Sequence, residues 1–111
     1  MKGYKMKLLT KEIINKLENT KYNHEDLIPD DAPVLVKFFN PSGIGTWYAL
    51  EGEKVKDDWV FFGVADLGFP EYGEFVLSEL ESIKAPPFGL GIERDMHYTG
   101  TNKDLKEEYN L

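Results

Sequence analysis

Apolar positions fall along this chain in short runs of two periods, one helical and one alternating. Leu9, Ile13, Ile14 and Leu17 recur at helical spacing around Thr10, whose hydroxyl can accept a first-turn N–H. Leu9 and Ile14 stand at the two positions of a hydrophobic staple. The pattern predicts a helix over residues 11–19, ended by Asn19 and Thr20. Residues 20–33 are polar and carry Pro29 and Pro33, which reads as a connecting loop. Pro33 is expected directly before a strand, because proline suits strand starts and edges.

The alternating runs follow. Residues 34–39 are β-branched and aromatic, with Val34, Val36 and Phe38 expected on one inward face. Residues 40–45 form a turn by composition. Residues 46–50 give a second strand ending near Glu51 and Gly52, and residues 54–58 read as a charged loop. Residues 59–65 give a third strand, in which Gly63 marks a bulge or a close backbone approach. Gly73 to Leu77 reads as a fourth. Ser78 and Glu81 form a capping box for a short helix with Leu80 and Ile83 on its apolar side, stopped by Pro86 and Pro87. Gly89 to Gly91 is flexible by composition, Ile92 to Tyr98 reads as a last strand, and Thr101 or Asn102 caps a last helix carrying Leu105 and Tyr109.

Short turns between strands favour antiparallel neighbours. The expected fold is therefore α+β: one domain over residues 1–111, with a small antiparallel sheet of four to five strands and helices packed on it. Trp47 and Tyr48 face opposite sides by alternation, as do Phe61 and Phe62. The sheet is thus partly apolar on both faces, which calls for helices on both sides or an exposed aromatic patch.

Composition narrows the chemistry. The chain has 111 residues, 41% of them hydrophobic and 30% charged, which suits a globular core rather than disorder. It has no cysteine, so disulfides and thiolate chemistry are excluded. The basic start, MKGYKMKLL, has no apolar run long enough for a secretory signal, so a cytoplasmic chain with no membrane partner is expected. Net charge is −7 and uneven: residues 1–23 sum to +4 and residues 24–111 to −11. Residues 1–7 read as a flexible basic arm. The acidic body disfavours nucleic acid and points to a basic protein surface as partner, in the sharper version by imitating a nucleic acid.

Several stretches resemble a bacterial family known as domain of unknown function 2958. They are Leu9 to Ile13, Val36 to Phe39, Thr46 to Tyr48, Phe61 to Gly63, Phe75 to Glu81 and Gly91 to Tyr98. Their order and spacing cover nearly the whole chain. The resemblance implies a small bacterial protein encoded on plasmids, conjugative elements and similar mobile DNA. It implies no activity and carries over no catalytic residue.

Candidate chemistry is sparse. On a strand over residues 92–98, Glu93, Asp95 and His97 share one face and offer oxygen and nitrogen donors to a divalent metal. A solvated or ion-paired strand face gives the same pattern. No other cofactor is expected. Arg94 points the opposite way, where its guanidinium requires a carboxylate, a backbone carbonyl or an anion. Trp47 and Tyr48, with Glu51, Glu53, Asp57 and Asp58 nearby, form a candidate interface, the four acids being expected on exposed chain. The basic segment Lys2, Lys5, Lys7 and Lys11 is a candidate nucleic-acid contact. The leading reading is a non-enzymatic acidic accessory protein of a mobile element that binds another protein. The alternative is a small metal-dependent enzyme or metal-binding domain built on Glu93, Asp95 and His97.

Overall fold

A computed structural model describes residues 7–85 and 89–111 of the chain. A helix, α1 (Lys11–Glu18), is followed by a single 3-10 turn, Glu25–Leu27. Four long strands come next: β1 (Val36–Phe39), β2 (Thr46–Val55), β3 (Asp58–Asp66) and β4 (Pro70–Val76). A short helix α2 (Leu77–Ser82), the small strands β5 (Lys84–Ala85), β6 (Leu90–Gly91) and β7 (Glu93–Arg94), and helix α3 (Asn102–Tyr109) complete it. The main sheet is antiparallel throughout in the order β4-β3-β2-β1-β7, and β5 pairs with β6 separately. The chain is thus a single α+β domain.

Each face of the sheet carries its own core. On the first face, Phe38, Trp47, Phe61 and Phe75 pack with Leu17 of α1 and Leu80 of α2. Phe61 is the hub of this layer, with ring centroids 5.7 Å from Phe38 and 5.2 Å from Phe75. Leu9 and Ile14 join the same cluster as the staple requires, and Thr10 Oγ1 accepts the Ile13 N–H at 3.2 Å. On the second face, Tyr48, Leu50 and Val64 pack with Ile28 and Ala32 of the long loop and Leu105 of α3. Helices α1 and α2 on one side and α3 with the long loop on the other cover most of this two-sided apolar sheet, and Phe62 and Tyr72 stay half-buried beside them.

The register contains one irregularity. Ala49 pairs with Gly63 and Glu51 with Phe62, so Leu50 is an extra residue in β2. Gly63 permits this bulge, because a Cβ there would lie 1.8 Å from the Tyr48 carbonyl oxygen. Leu50 then joins the second core beside Tyr48, two positions before it, while Gly52 backs onto Phe61 and Leu17 of the first. Both sequence readings of Gly63, bulge and close approach, describe this one feature.

Four expectations need correction. Val34 does not share a face with Val36 and Phe38. Its N–H donates to Gly100 at 3.0 Å and its side chain enters the second core, while Leu35 and Val36 both serve the first. Residues 54–58 are not a loop: β2 and β3 run on to a two-residue hairpin turn in which Lys56 takes a left-handed φ of 58°. Ser78 does not cap α2. The cap position is Val76, and the Asp58 carboxylate across the hairpin accepts the Ser78 N–H (3.1 Å), the Ser78 hydroxyl (2.5 Å) and the Trp59 N–H (2.8 Å). Finally, the strand over residues 92–98 shrinks to Glu93–Arg94, because the Asp95 side chain accepts the His97 N–H at 3.0 Å and turns the chain. The stop at Pro86 and Pro87 lies outside the described residues.

Asp58 is therefore a structural residue. Its hydrogen bonds, led by the Ser78 hydroxyl, hold its carboxyl below the usual carboxylate range. A lowered folded pKa adds stability above the unfolded value of about 3.9, which is lost as pH falls through the folded value. Asp58→Ala is expected to lower the melting midpoint by about 4–8 °C near neutral pH, as loss of a helix cap does in a domain of this size. Thermal melts of Asp58→Asn and the parent should differ near neutrality and converge in acid.

Candidate functional site

The hairpin and the long loop build a groove on the second face, where α3 leaves the sheet uncovered. Its floor is Phe62 of β3 and Tyr72 of β4, whose rings stack with centroids 6.1 Å apart and planes 9° from parallel. One lobe, of about 570 Å³, runs between Ile28, Tyr72, Gly73 and Asn102, with Glu25, Asp26 and Glu74 at its mouth. A second lobe of about 290 Å³ continues past Phe62 to Tyr22, Glu51 and Glu53. The two share Glu25, Phe62 and Glu74, so they form one surface.

The bulge places the acids here. From Glu51 onward it reverses the alternation of β2, so Glu51 and Glu53 face the groove and Gly52 faces α1. Five carboxylates line the two lobes, from Glu25, Asp26, Glu51, Glu53 and Glu74, against two lysines. Both lysines are engaged: Lys106 meets Asp30 at 2.7 Å, and Lys21 donates to the Gly52 carbonyl at 3.2 Å. Glu51 also has a structural duty, accepting the Tyr22 N–H at 3.1 Å. Glu25, Glu53 and Glu74 enter no ion pair among the described residues.

A buried polar residue fixes the base of the groove. Asn102, the first residue of α3, is 2% exposed. Its Oδ1 accepts the Tyr72 hydroxyl at 2.5 Å, and its Nδ2 donates to the Pro29 carbonyl at 3.2 Å and more weakly to Ile28. One amide thus ties β4, the loop and α3 together. The adjoining Thr101 carries the cap proper, in a capping box with Asp104. The Thr-x-x-Asp spacing was the available signal for that cap. Nothing in the sequence marked Asn102 as the tie, nor Phe62, Tyr72 and Glu74 as one surface, because their meeting depends on strand register.

The tyrosines beneath this face are neutral phenols. Burial pushes the Tyr72 hydroxyl above its ordinary pKa. Burial first, then the hydrogen bond with Tyr109 at 2.6 Å, does the same to Tyr48. Tyr22 is raised by burial and by Glu51. The Tyr48 and Tyr72 hydroxyls order the layer through their hydrogen bonds to Tyr109 and Asn102.

The residues singled out from sequence are dispersed. Trp47 and Tyr48, at 5% and 2% exposure, belong to the two cores and offer no surface to a partner. Of the four acids beside them, Glu53 is exposed in the groove, Glu51 is half-buried there, Asp57 is exposed at the hairpin tip, and Asp58 is the α2 cap. Glu93, Asp95 and His97 do not share one strand face. Asp95 sits 3.5 Å from Lys37, and its other oxygen takes the His97 backbone. Among the described residues no three His, Asp or Glu side chains gather closely enough to hold a metal. Arg94 donates to the Lys7 carbonyl, the backbone-carbonyl partner that its position requires. Lys7 and Lys11 are exposed, and Lys2 and Lys5 lie outside the described residues. Among the described residues no helix is long and apolar enough to cross a membrane.

Truncating the tie should loosen the groove. Asn102→Ala leaves the Tyr72 hydroxyl and the Ile28 carbonyl without this partner and the Pro29 carbonyl with the Ala32 N–H alone, an expected cost of about 1–3 kcal/mol. Denaturant unfolding of the variant measures it, and a change below about 0.5 kcal/mol would show that the tie carries little.

No curated protein and no solved structure matches the chain. A family model described as a protein of unknown function, DUF2958, matches residues 8–106. That span takes in both cores, the bulge and the whole groove, and the chain belongs to the DUF2958 family.

Proposed function

We propose that the protein acts by binding another protein, whose basic surface enters the groove over Phe62 and Tyr72. One observation supports this reading above the rest: carboxylates from three separate segments converge around an aromatic floor. Glu25 and Asp26 come from the loop, Glu51 and Glu53 from β2, and Glu74 from β4. Like charges held together repel, and the fold tolerates that repulsion where a cationic partner relieves it. The aromatic floor adds apolar area and π-faces on which lysine stems or guanidinium planes can lie.

The mobile-element setting suggested by the family resemblance fits such a partner. Proteins that handle DNA carry basic grooves for its phosphates. An acidic surface on a small accessory protein can occupy such a groove in place of nucleic acid. A metal-dependent enzyme finds less support, since Asp95 is already engaged by Lys37 and by the His97 N–H.

Fluorescence anisotropy with a dye-labelled arginine-rich peptide tests the reading. Saturable binding is expected, weakening as salt is raised past the level where the Debye length is about 8 Å. Glu53→Lys with Glu74→Lys, two exposed positions without structural bonds, should weaken it about tenfold or more while leaving the melting curve in place. Unchanged affinity in that variant would refute the groove. So would DNA as the only reproducible ligand, with its affinity lost on removal of residues 1–7.

A further inference from the structure

The outer edge of the sheet lies along this groove. β4 ends the strand order, so among the described residues its seven residues have a partner strand, β3, on one side only. At the usual rise this edge is about 23 Å long. The opposite edge, β7, has two residues. At the middle of β4, Gly73 has none of the described residues within 4 Å of where a Cβ would stand, so nothing among them packs over the strand at that point. Tyr72, Gly73 and Glu74 also line the larger lobe, so edge and groove form one continuous surface.

We infer that the partner segment binds as an added strand along β4, with an arginine side chain laid over Phe62 between Glu25 and Glu74. This rests on the proposed function and specifies its ligand: an extended, arginine-bearing stretch of protein. In strand addition, main-chain hydrogen bonds supply affinity, and alternate side chains supply specificity. A strand beside β4 turns every second side chain onto the face that holds Tyr72 and Glu74. The first such side chain meets the Phe62–Tyr72 stack, where a planar guanidinium can lie flat and reach a carboxylate on either side.

Charge selects this occupant over a second copy of the chain. Glu71 and Glu74 sit on the free strand, so two copies paired along β4 would crowd four carboxylates onto one short ladder. An arginine-bearing strand meets the same groups as counter-charges. The edge is thereby closed to itself and open to a basic partner.

Backbone N-methylation separates this inference from the broader reading. The parent probe is a peptide of alternating arginine and threonine. One derivative is N-methylated at every arginine and the other at every threonine. Both keep the charge and carry the same number of methyl groups, but each blocks hydrogen bonding along only one edge of the extended peptide. The expected result is that one derivative loses about tenfold or more in affinity and the other stays close to the parent. If the parent binds with the Glu53 and Glu74 dependence stated above and the two derivatives bind equally, strand addition is wrong and the acidic groove stands. If the parent does not bind, both readings fall.

Discussion

Gly63 has no Cβ, and the backbone of β2 occupies the space that one would need, with the Tyr48 carbonyl oxygen 1.8 Å from the Cβ position. That approach accommodates Leu50 as an extra residue, and the extra residue resets the alternation of β2. Before it, Trp47 and Tyr48 divide between the two cores. After it, Glu51 and Glu53 face the groove, while Gly52 leaves room on the other side for Phe61 and Leu17. A regular strand would turn Glu51 and Glu53 toward α1 and bury carboxylates against leucine and phenylalanine, a costly arrangement. The bulge therefore lets α1 pack against the first face and gives the second face its acidic groove.

The two layers are held in different ways. The first is almost wholly apolar, organised by the aromatic cluster around Phe61 and closed by α1 and α2. The second mixes apolar contacts with directed polar ones: the Asn102 amide under Tyr72, the Tyr48–Tyr109 hydroxyl pair, and Lys37 lying within 5.4 Å of the Tyr48 and Tyr98 ring centres. Hydrogen bonds of this kind fix orientation more than they add net stability. A face that positions a polar binding surface has use for that. The Asp58 bonds to Ser78 extend the same logic to the hairpin, whose strands carry the groove acids.

Much of the architecture was legible because its signals are local. The Thr10 cap, the Leu9–Ile14 staple and the alternating aromatics of residues 46–50 and 59–65 specify α1, β2 and β3 without reference to the rest of the chain. The two-sided sheet followed from Trp47 and Tyr48 facing apart. What escaped the sequence reading depends on partners distant along the chain. Asp58 replaces a Ser78 capping box that looked self-sufficient. Asp95 bends a segment whose alternation imitated a strand, which removes the expected convergence of Glu93, Asp95 and His97. Val34 leaves its expected face because Gly100 holds its N–H. The groove was half legible: Glu51 and Glu53 stood out as acids near aromatics, but their neighbours Phe62, Tyr72, Glu74 and Glu25 emerge only once the bulge and the strand order are known.

The dependence on Gly63 can be tested with a single methyl group. Gly63→Ala puts a Cβ into the Tyr48 carbonyl, a backbone atom with no rotamer by which to withdraw. Equilibrium denaturant unfolding of Gly63→Ala beside the parent is the most direct measurement. A loss of about 3 kcal/mol or more, or failure to fold, is the expected result, at or beyond the upper end of what overpacking a core usually costs. Native stability in Gly63→Ala, with Glu51 and Glu53 still beside Phe62 in its structure, would show that the bulge does not depend on the missing side chain and would contradict this account.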